Sequence, residues 1–151
     1  PAAEMLKLAG QTLGPLGRRV DLHEGYIEDA PEGPFDAATC LLTLHFLAPE
    51  DRRRTLAEIH RRLKPGAPFV AAHASFPQGE GERGLWLSRY AAFATASGTD
   101  PAKAENARAA VAVHLQLLSP EEDEAILRDA GFSQVSLFYT GFSFRGWVGY
   151  A

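Results

Sequence analysis

Five histidines, one cysteine and a few arginines are the side chains of this sequence that could do chemistry near neutral pH. His73 closes an apolar, strand-like run, and an imidazole titrating near about 7 there could act as a general base. His114 stands where a helical stretch gives way to a loop, and could face the same cavity. His60 shares the apolar side of an arginine-rich helix and reads as a packed histidine, while His23 lies on an alternating stretch and reads as exposed. No two histidines have H-x-x-x-H spacing, so a histidine metal site lacks support. Cys40 has no activating base beside it in sequence and reads as core rather than nucleophile. Being the single cysteine, it rules out an internal disulfide and any multi-cysteine zinc site. Arg89 and Arg108 are candidates for gripping an acidic ligand, because a guanidinium binds carboxylate bidentately. Trp86, Tyr90 and Phe93 share a helix with Arg89 and could line a pocket or pack a core. Arg52, Arg53, Arg54, Arg61 and Arg62 read most simply as a solvated helix face.

The elements that must position these side chains follow from periodicity and punctuation. Residues 2–13 predict a short helix, ended by Gly14-Pro15-Leu16-Gly17. Arg18 to Tyr26 alternates in polarity, with Val20, Leu22 and Glu24 set apart by Asp21 and His23, which predicts a strand. After Pro31-Glu32-Gly33-Pro34, the run from Phe35 to Leu47 is almost continuously apolar and predicts a strand covered on both faces. Pro49 to Leu63 is helical, with Leu56, Ile59, His60 and Leu63 on one face. Lys64-Pro65-Gly66 stops it. Pro68 to Phe76 predicts a second buried strand, parallel to the first through a right-handed crossover. Leu85 to Ala96 predicts a helix, and Asp100-Pro101 opens another with Asp as N-cap. Ser119-Pro120-Glu121-Glu122 is a capping box for a helix ending at Gly131. Ser133 to Tyr139 and Phe142 to Tyr150 predict antiparallel strands about a turn at Thr140-Gly141. The class is α/β, a three-layer sandwich with an antiparallel edge.

Composition narrows the functional classes. The 151 residues carry Lys+Arg 15 against Asp+Glu 19, a formal charge of −4. Clustered surplus cations, which a nucleic-acid surface requires, are therefore not provided. No apolar stretch approaches the roughly 20 residues of a membrane span. The start, Pro1-Ala2-Ala3-Glu4-Met5, lacks a signal peptide's basic flank and apolar block. A cytoplasmic domain with a reduced thiol is the expectation.

Several segments together resemble one family. These are Glu24-Gly25-Tyr26-Ile27-Glu28-Asp29, Phe35-Asp36-Ala37-Ala38, Leu44-His45-Phe46-Leu47, Arg61-Arg62-Leu63-Lys64-Pro65-Gly66 and Ala130-Gly131-Phe132. From Arg18 onward the chain is similar to the C-terminal two-thirds of class I S-adenosylmethionine-dependent methyltransferases. The Phe-Tyr-x-Gly-Phe-x-Phe pattern near the end resembles the carboxy-S-adenosylmethionine synthase branch. The resemblance implies a Rossmann-like sheet of order 3-2-1-4-5-7-6 with an antiparallel C-terminal hairpin. This chain supplies only strands 3 to 7, lacking the first two strands and the G-x-G-x-G loop. Residues 1–151 would then be a single partial domain. Its strand 3 would lie roughly 14 Å from strand 4, and strand 4 would expose an apolar edge. A fragment, a chain with an unrecorded N-terminal part, and a rearranged or swapped homodimer remain the alternatives.

By the same resemblance, S-adenosyl-L-methionine is the cofactor, and methyl transfer to a small-molecule or tRNA-related acceptor is the activity. Gly25, Tyr26, Ile27 and Glu28 would meet adenine, with Tyr26 standing where the family commonly has Asp. Leu41, Leu42 and Thr43, at the end of strand 4, would wall the methionine part, and His45 would lie near it. His73 would face the acceptor as the candidate catalytic base. Trp86, Arg89, Tyr90, Arg108 and His114 would surround the acceptor pocket. The competing expectation is a non-catalytic fragment that dimerises and binds no cofactor alone.

Overall fold

A computed structural model describes residues 2–151. The chain divides into two compact units, residues 1–33 and 34–151, within the stretch read above as one domain. The first unit holds helix α1 (Ala3–Leu13), followed by a 3-10 helix over Gly14–Arg19 and another over Ile27–Asp29. The strand expected over Arg18 to Tyr26 does not form. Among the described residues no strand pairs with it, and an alternating pattern becomes a strand only where a neighbour completes the ladder.

The second unit carries a four-stranded sheet. Its elements are β1 (Ala38–Leu41), α2 (Pro49–Arg61), β2 (Pro68–Ala74), α3 (Glu82–Ala96), α4 (Pro101–His114), α5 (Pro120–Asp129), β3 (Ser133–Gly141) and β4 (Phe144–Tyr150). The strand order is β1-β2-β4-β3. β1 pairs parallel to β2, with Cys40 opposite Ala71, and β4 runs antiparallel to both β2 and β3. A mixed α/β sheet with an antiparallel C-terminal hairpin is thus the architecture, as the order of elements predicted.

Side-chain caps close the starts of two helices, α4 and α5. Asp100 accepts from the Lys103 backbone N–H at 3.1 Å. At the start of α5, the Ser119 hydroxyl accepts from Glu122 N–H while the Glu122 carboxylate accepts from Ser119 N–H. That reciprocal bonding satisfies donors a helix start would leave open. Three strand details differ from expectation. β1 spans four residues rather than the whole apolar run, and its Thr39 and Leu41 side chains are exposed, so it is an edge and not a strand covered on both faces. Leu42, at φ 57°, then turns the chain into a 3-10 helix over Leu44–Phe46. The hairpin turn falls at Phe142-Ser143, because Gly141 still pairs with Phe144. A Cβ at Gly141 would meet the ring of Tyr139, an exposed side chain that would have to swing aside.

The core behind the sheet is built on alternate residues of β2 and β4. Phe69 stacks on Phe132 at 4.7 Å, and His73 lies 5.1 Å from the Trp147 ring. Helices α2 and α5 pack against each other, and Asp123 of α5 comes within 3.1 Å of His73. A separate apolar cluster gathers Ala74, Phe76, Leu87 and Leu117 under α3 and α4.

Candidate functional site

The carboxyl end of β2 opens onto a cavity of about 190 Å³. Ala74, Phe76, Leu87, Val111, Leu115 and Phe144 make its apolar walls, and His45, Tyr90 and Ser143 supply its polar atoms. No acidic side chain lines it. The volume lies below the roughly 300–1,000 Å³ of clefts that take drug-sized ligands, so it suits a small molecule.

Backbone geometry brings His45 to this wall. The sharp turn at Leu42 and the short 3-10 helix lift the imidazole off the end of β1 and lay it across β2. The backbone N–H of Ala74 donates to His45 Nδ1 at 3.1 Å, and Gln116 N–H donates to the His45 carbonyl at 2.7 Å. Ring and backbone are therefore both fixed. Burial pushes the imidazole pKa down to about 4, with the nearby His73 and Arg52 adding to the effect and Asp123 opposing it. With Nδ1 accepting, the proton of the neutral ring sits on Nε2, which makes His45 a hydrogen-bond donor.

Behind the sheet lies an ion network that sequence reading missed. Arg52, 1% exposed, donates through Nη1 to Asp123 and through Nη2 to the Gln116 carbonyl at 2.6 Å. The expectation of a solvated arginine face fails at two of its five residues. Arg52 and Arg62 are buried, Arg62 against Glu58, while Arg53, Arg54 and Arg61 are exposed and pair with Glu50, Asp51 and Glu58. A signal was present, since position 52 shares a helical face with Leu56, Ile59 and Leu63. His73 belongs to this network rather than to the cavity. It is buried, its Nε2 lies 3.1 Å from Asp123 Oδ1 without hydrogen-bond alignment, and it is absent from the cavity lining. A base on that side of the sheet cannot reach a proton in the cavity, so this geometry gives His73 a packing place instead.

Of the expected pocket residues, Tyr90 lines the cavity and Trp86 stands directly behind it, stacked on Phe76 at 5.9 Å. Arg89 is exposed and lies over the Trp86 ring at 5.0 Å. Arg108 is bound to Glu105, and His114 is exposed at the end of α4. None of these last three lines the cavity. Ser143 and Phe144, which do line it, were missed, because their place there comes from where the hairpin turns.

The residues expected around a nucleotide are described in their own units. In the first, Gly25 is in a tight turn, where a Cβ would lie 2.9 Å from Asp29 Cβ, and Tyr26 N–H donates to Asp29 Oδ2 at 3.0 Å. Ile27 and Glu28 continue into the 3-10 helix. In the second, Leu41, Leu42 and Thr43 are exposed at the carboxyl end of β1. Cys40 beside them is a poor nucleophile, because burial raises its pKa to about 11. Among the described residues no cluster is disposed to hold a metal, and no helix is long and apolar enough to cross a membrane.

Comparison with known proteins adds the following. Residues 1–66 match the family described as "Methyltransferase domain". A carboxy-S-adenosyl-L-methionine synthase of Chromohalobacter salexigens is 28% identical over 148 residues, 97% of this chain and 55% of that protein. The one from Actinobacillus succinogenes is 31% identical over 68% of this chain and 42% of its own length. The chain thus spans about half the length of the curated relatives it matches. Among solved structures, PigF with SAH superimposes with a TM-score of 0.68 at 20% identity, covering 97% of this chain and 41% of that one. Human N-acetylserotonin methyltransferase in complex with SAM gives 0.62 at 17% identity, over 88% and 34%. At these identities the structural likeness speaks for the fold.

Proposed function

We propose that the chain belongs to the class I S-adenosylmethionine-dependent methyltransferase family, a reading supported by its likeness to a methyltransferase domain and to carboxy-S-adenosyl-L-methionine synthases, and that it builds the acceptor side of a methyl-transfer site for a small molecule. The observation carrying this reading is His45, held neutral as an Nε2–H donor on the wall of an otherwise mostly apolar cavity. S-adenosylmethionine, when bound, supplies an electrophilic methyl group on a sulfonium. The exposed Leu41 and Leu42 fit such a group, since they offer apolar surface without a competing charge. Gly25, Tyr26, Ile27 and Glu28 are the proposed adenine contacts, carried by the family resemblance.

Methyl transfer asks the protein chiefly for alignment and exclusion of water. His45 and Tyr90 would orient an acceptor oxygen by hydrogen bonds, and the walls from Ala74 to Phe144 would keep the reacting centre dry. With its pKa near about 4, His45 orients rather than deprotonates at neutral pH. This reading also places the protein in the cytoplasm, where its lone thiol stays reduced.

A second reading is favoured by the exposed Leu41 and Leu42 beside the open edge of β1. The chain would associate through that edge as a homodimer and bind no cofactor alone. Calorimetric titration of the 151-residue chain with S-adenosylhomocysteine, with sedimentation in parallel, separates the two. Micromolar binding supports the enzyme reading. A well-folded dimer without binding overturns it for this chain.

A further inference from the structure

Two consecutive backbone N–H groups at the end of β2 hold polar residues that arrive from either side of that strand. Ala74 N–H donates to His45 Nδ1 at 3.1 Å, and Ser75 N–H donates to the Ser143 carbonyl at 3.0 Å. His45 follows β1 and Ser143 precedes β4, so the two residues flank β2, and both line the cavity. They are 6% and 3% exposed. Yet His45 Nε2 and Ser143 Oγ have no hydrogen-bond partner among the described residues. Neither atom is sealed in the interior, as both ring nitrogens of His73 are. The space left to them is the cavity.

A desolvated polar atom without a partner costs free energy, so two of them on one small cavity point to an occupant that satisfies them. With Nδ1 already accepting, Nε2–H only donates and asks for an oxygen lone pair, whereas the Ser143 hydroxyl donates or accepts. Tyr90 brings a second hydroxyl from α3. Charge is not served. Among the described residues no aspartate, glutamate, lysine or arginine lines the cavity, so an ion there would lose its hydration and gain no counter-ion. Size sets the other bound. An apolar cavity of about 150 Å³ takes benzene, and this one holds about 190 Å³.

We propose that the cavity selects uncharged oxygen compounds of single-ring size, phenols in class, held through the oxygen by His45 Nε2–H and the Ser143 hydroxyl. This names the class of the acceptor, and it rests on the acceptor reading of the cavity.

Phenol, toluene, benzoate and benzylammonium present one ring with a neutral oxygen, no polar atom, an anion and a cation. Each is titrated calorimetrically at neutral pH into the 151-residue chain without cofactor, with the nitrogen resonances of His45 as a second signal. Phenol is expected to shift the Nε2 resonance and to bind about tenfold tighter than toluene. Its margin over either ion should be at least as large, because the ions are buried unpaired. Ser143→Ala should weaken phenol several-fold and leave toluene unchanged, a split that a merely structural role would not produce. A melting curve checks that the variant folds. Should it not fold, the ranking of the four probes by the parent chain decides. Toluene binding equal to phenol, either ion binding as tightly as phenol, a folded variant that keeps its phenol affinity, or no probe binding at all would each overturn the proposal. S-adenosylhomocysteine titration of the same protein keeps the two failures apart. Phenol binding without it leaves the ligand class standing and removes the methyl-transfer reading, and the converse removes only the ligand class.

Discussion

The backbone N–H of Ala74 donates to Nδ1 of His45 across 3.1 Å, and this one bond decides which ring nitrogen carries the proton. An imidazolium could not accept it, so the bond and the burial both disfavour the charged ring. The sign of the pH effect follows. His45 has an ordinary value of 6.5 that falls to about 4 in the folded chain. Below 6.5 the unfolded chain takes up a proton that the native chain refuses until about 4. The stability His45 contributes is therefore complete above that window and is lost as pH falls through it, by an amount of order 3 kcal/mol. Urea unfolding between these limits should show the loss, and His45→Gln should flatten it. An identical acid limb in the variant would contradict this account.

Asp123 is the shared partner of Arg52 and His73. Asp123→Ala should cost about 3–5 kcal/mol in urea unfolding, since it leaves the Arg52 charge buried and unpaired. Because Arg52 also holds the Gln116 carbonyl, and Gln116 N–H holds the His45 carbonyl, the same variant should loosen His45. The imidazole resonances of His45 should broaden or shift. Unchanged stability would mean that the network is not closed.

Cys40 should be slow to react. With a pKa of about 11, only about one thiol in a thousand is ionised at pH 8, and the thiolate is the nucleophile. Labelling by a disulfide reagent should be far slower in the native chain than in urea. Rapid native labelling would show the thiol to be neither buried nor unactivated.

The capping box of α5 gives a local test. Ser119→Ala removes the acceptor for Glu122 N–H and should lower stability by about 0.5–2 kcal/mol. A melting temperature within error of the parent would mean that α5 is held by Asp123 and Leu127 alone.

At the open edge of the sheet, Leu41 and Leu42 predict self-association at high concentration. Leu41→Lys should shift sedimentation toward the monomer without lowering the melting temperature. A parent chain that stays monomeric throughout would remove the homodimer reading.

What the sequence determined by itself was the part governed by neighbours along the chain. Asp100 before Pro101, Ser119 three residues ahead of Glu122, and Lys64-Pro65-Gly66 marked helix ends, because capping and breaking act over three or four residues. The order of helices and strands, with its closing hairpin, followed, and so did the likeness to methyltransferase domains. Tertiary structure decided the rest. Arg18 to Tyr26 alternates like a strand yet forms none, because pairing needs a partner that alternation cannot supply. Arg52 sat among arginines and looked solvated until a fold brought Asp123, 71 positions away, to neutralise it. The places of His73 and His45 were decided by the fold for a similar reason. Adjacent strand residues point to opposite faces, so His73 faces the buried ions, while the turn at Leu42 carries His45 to the cavity.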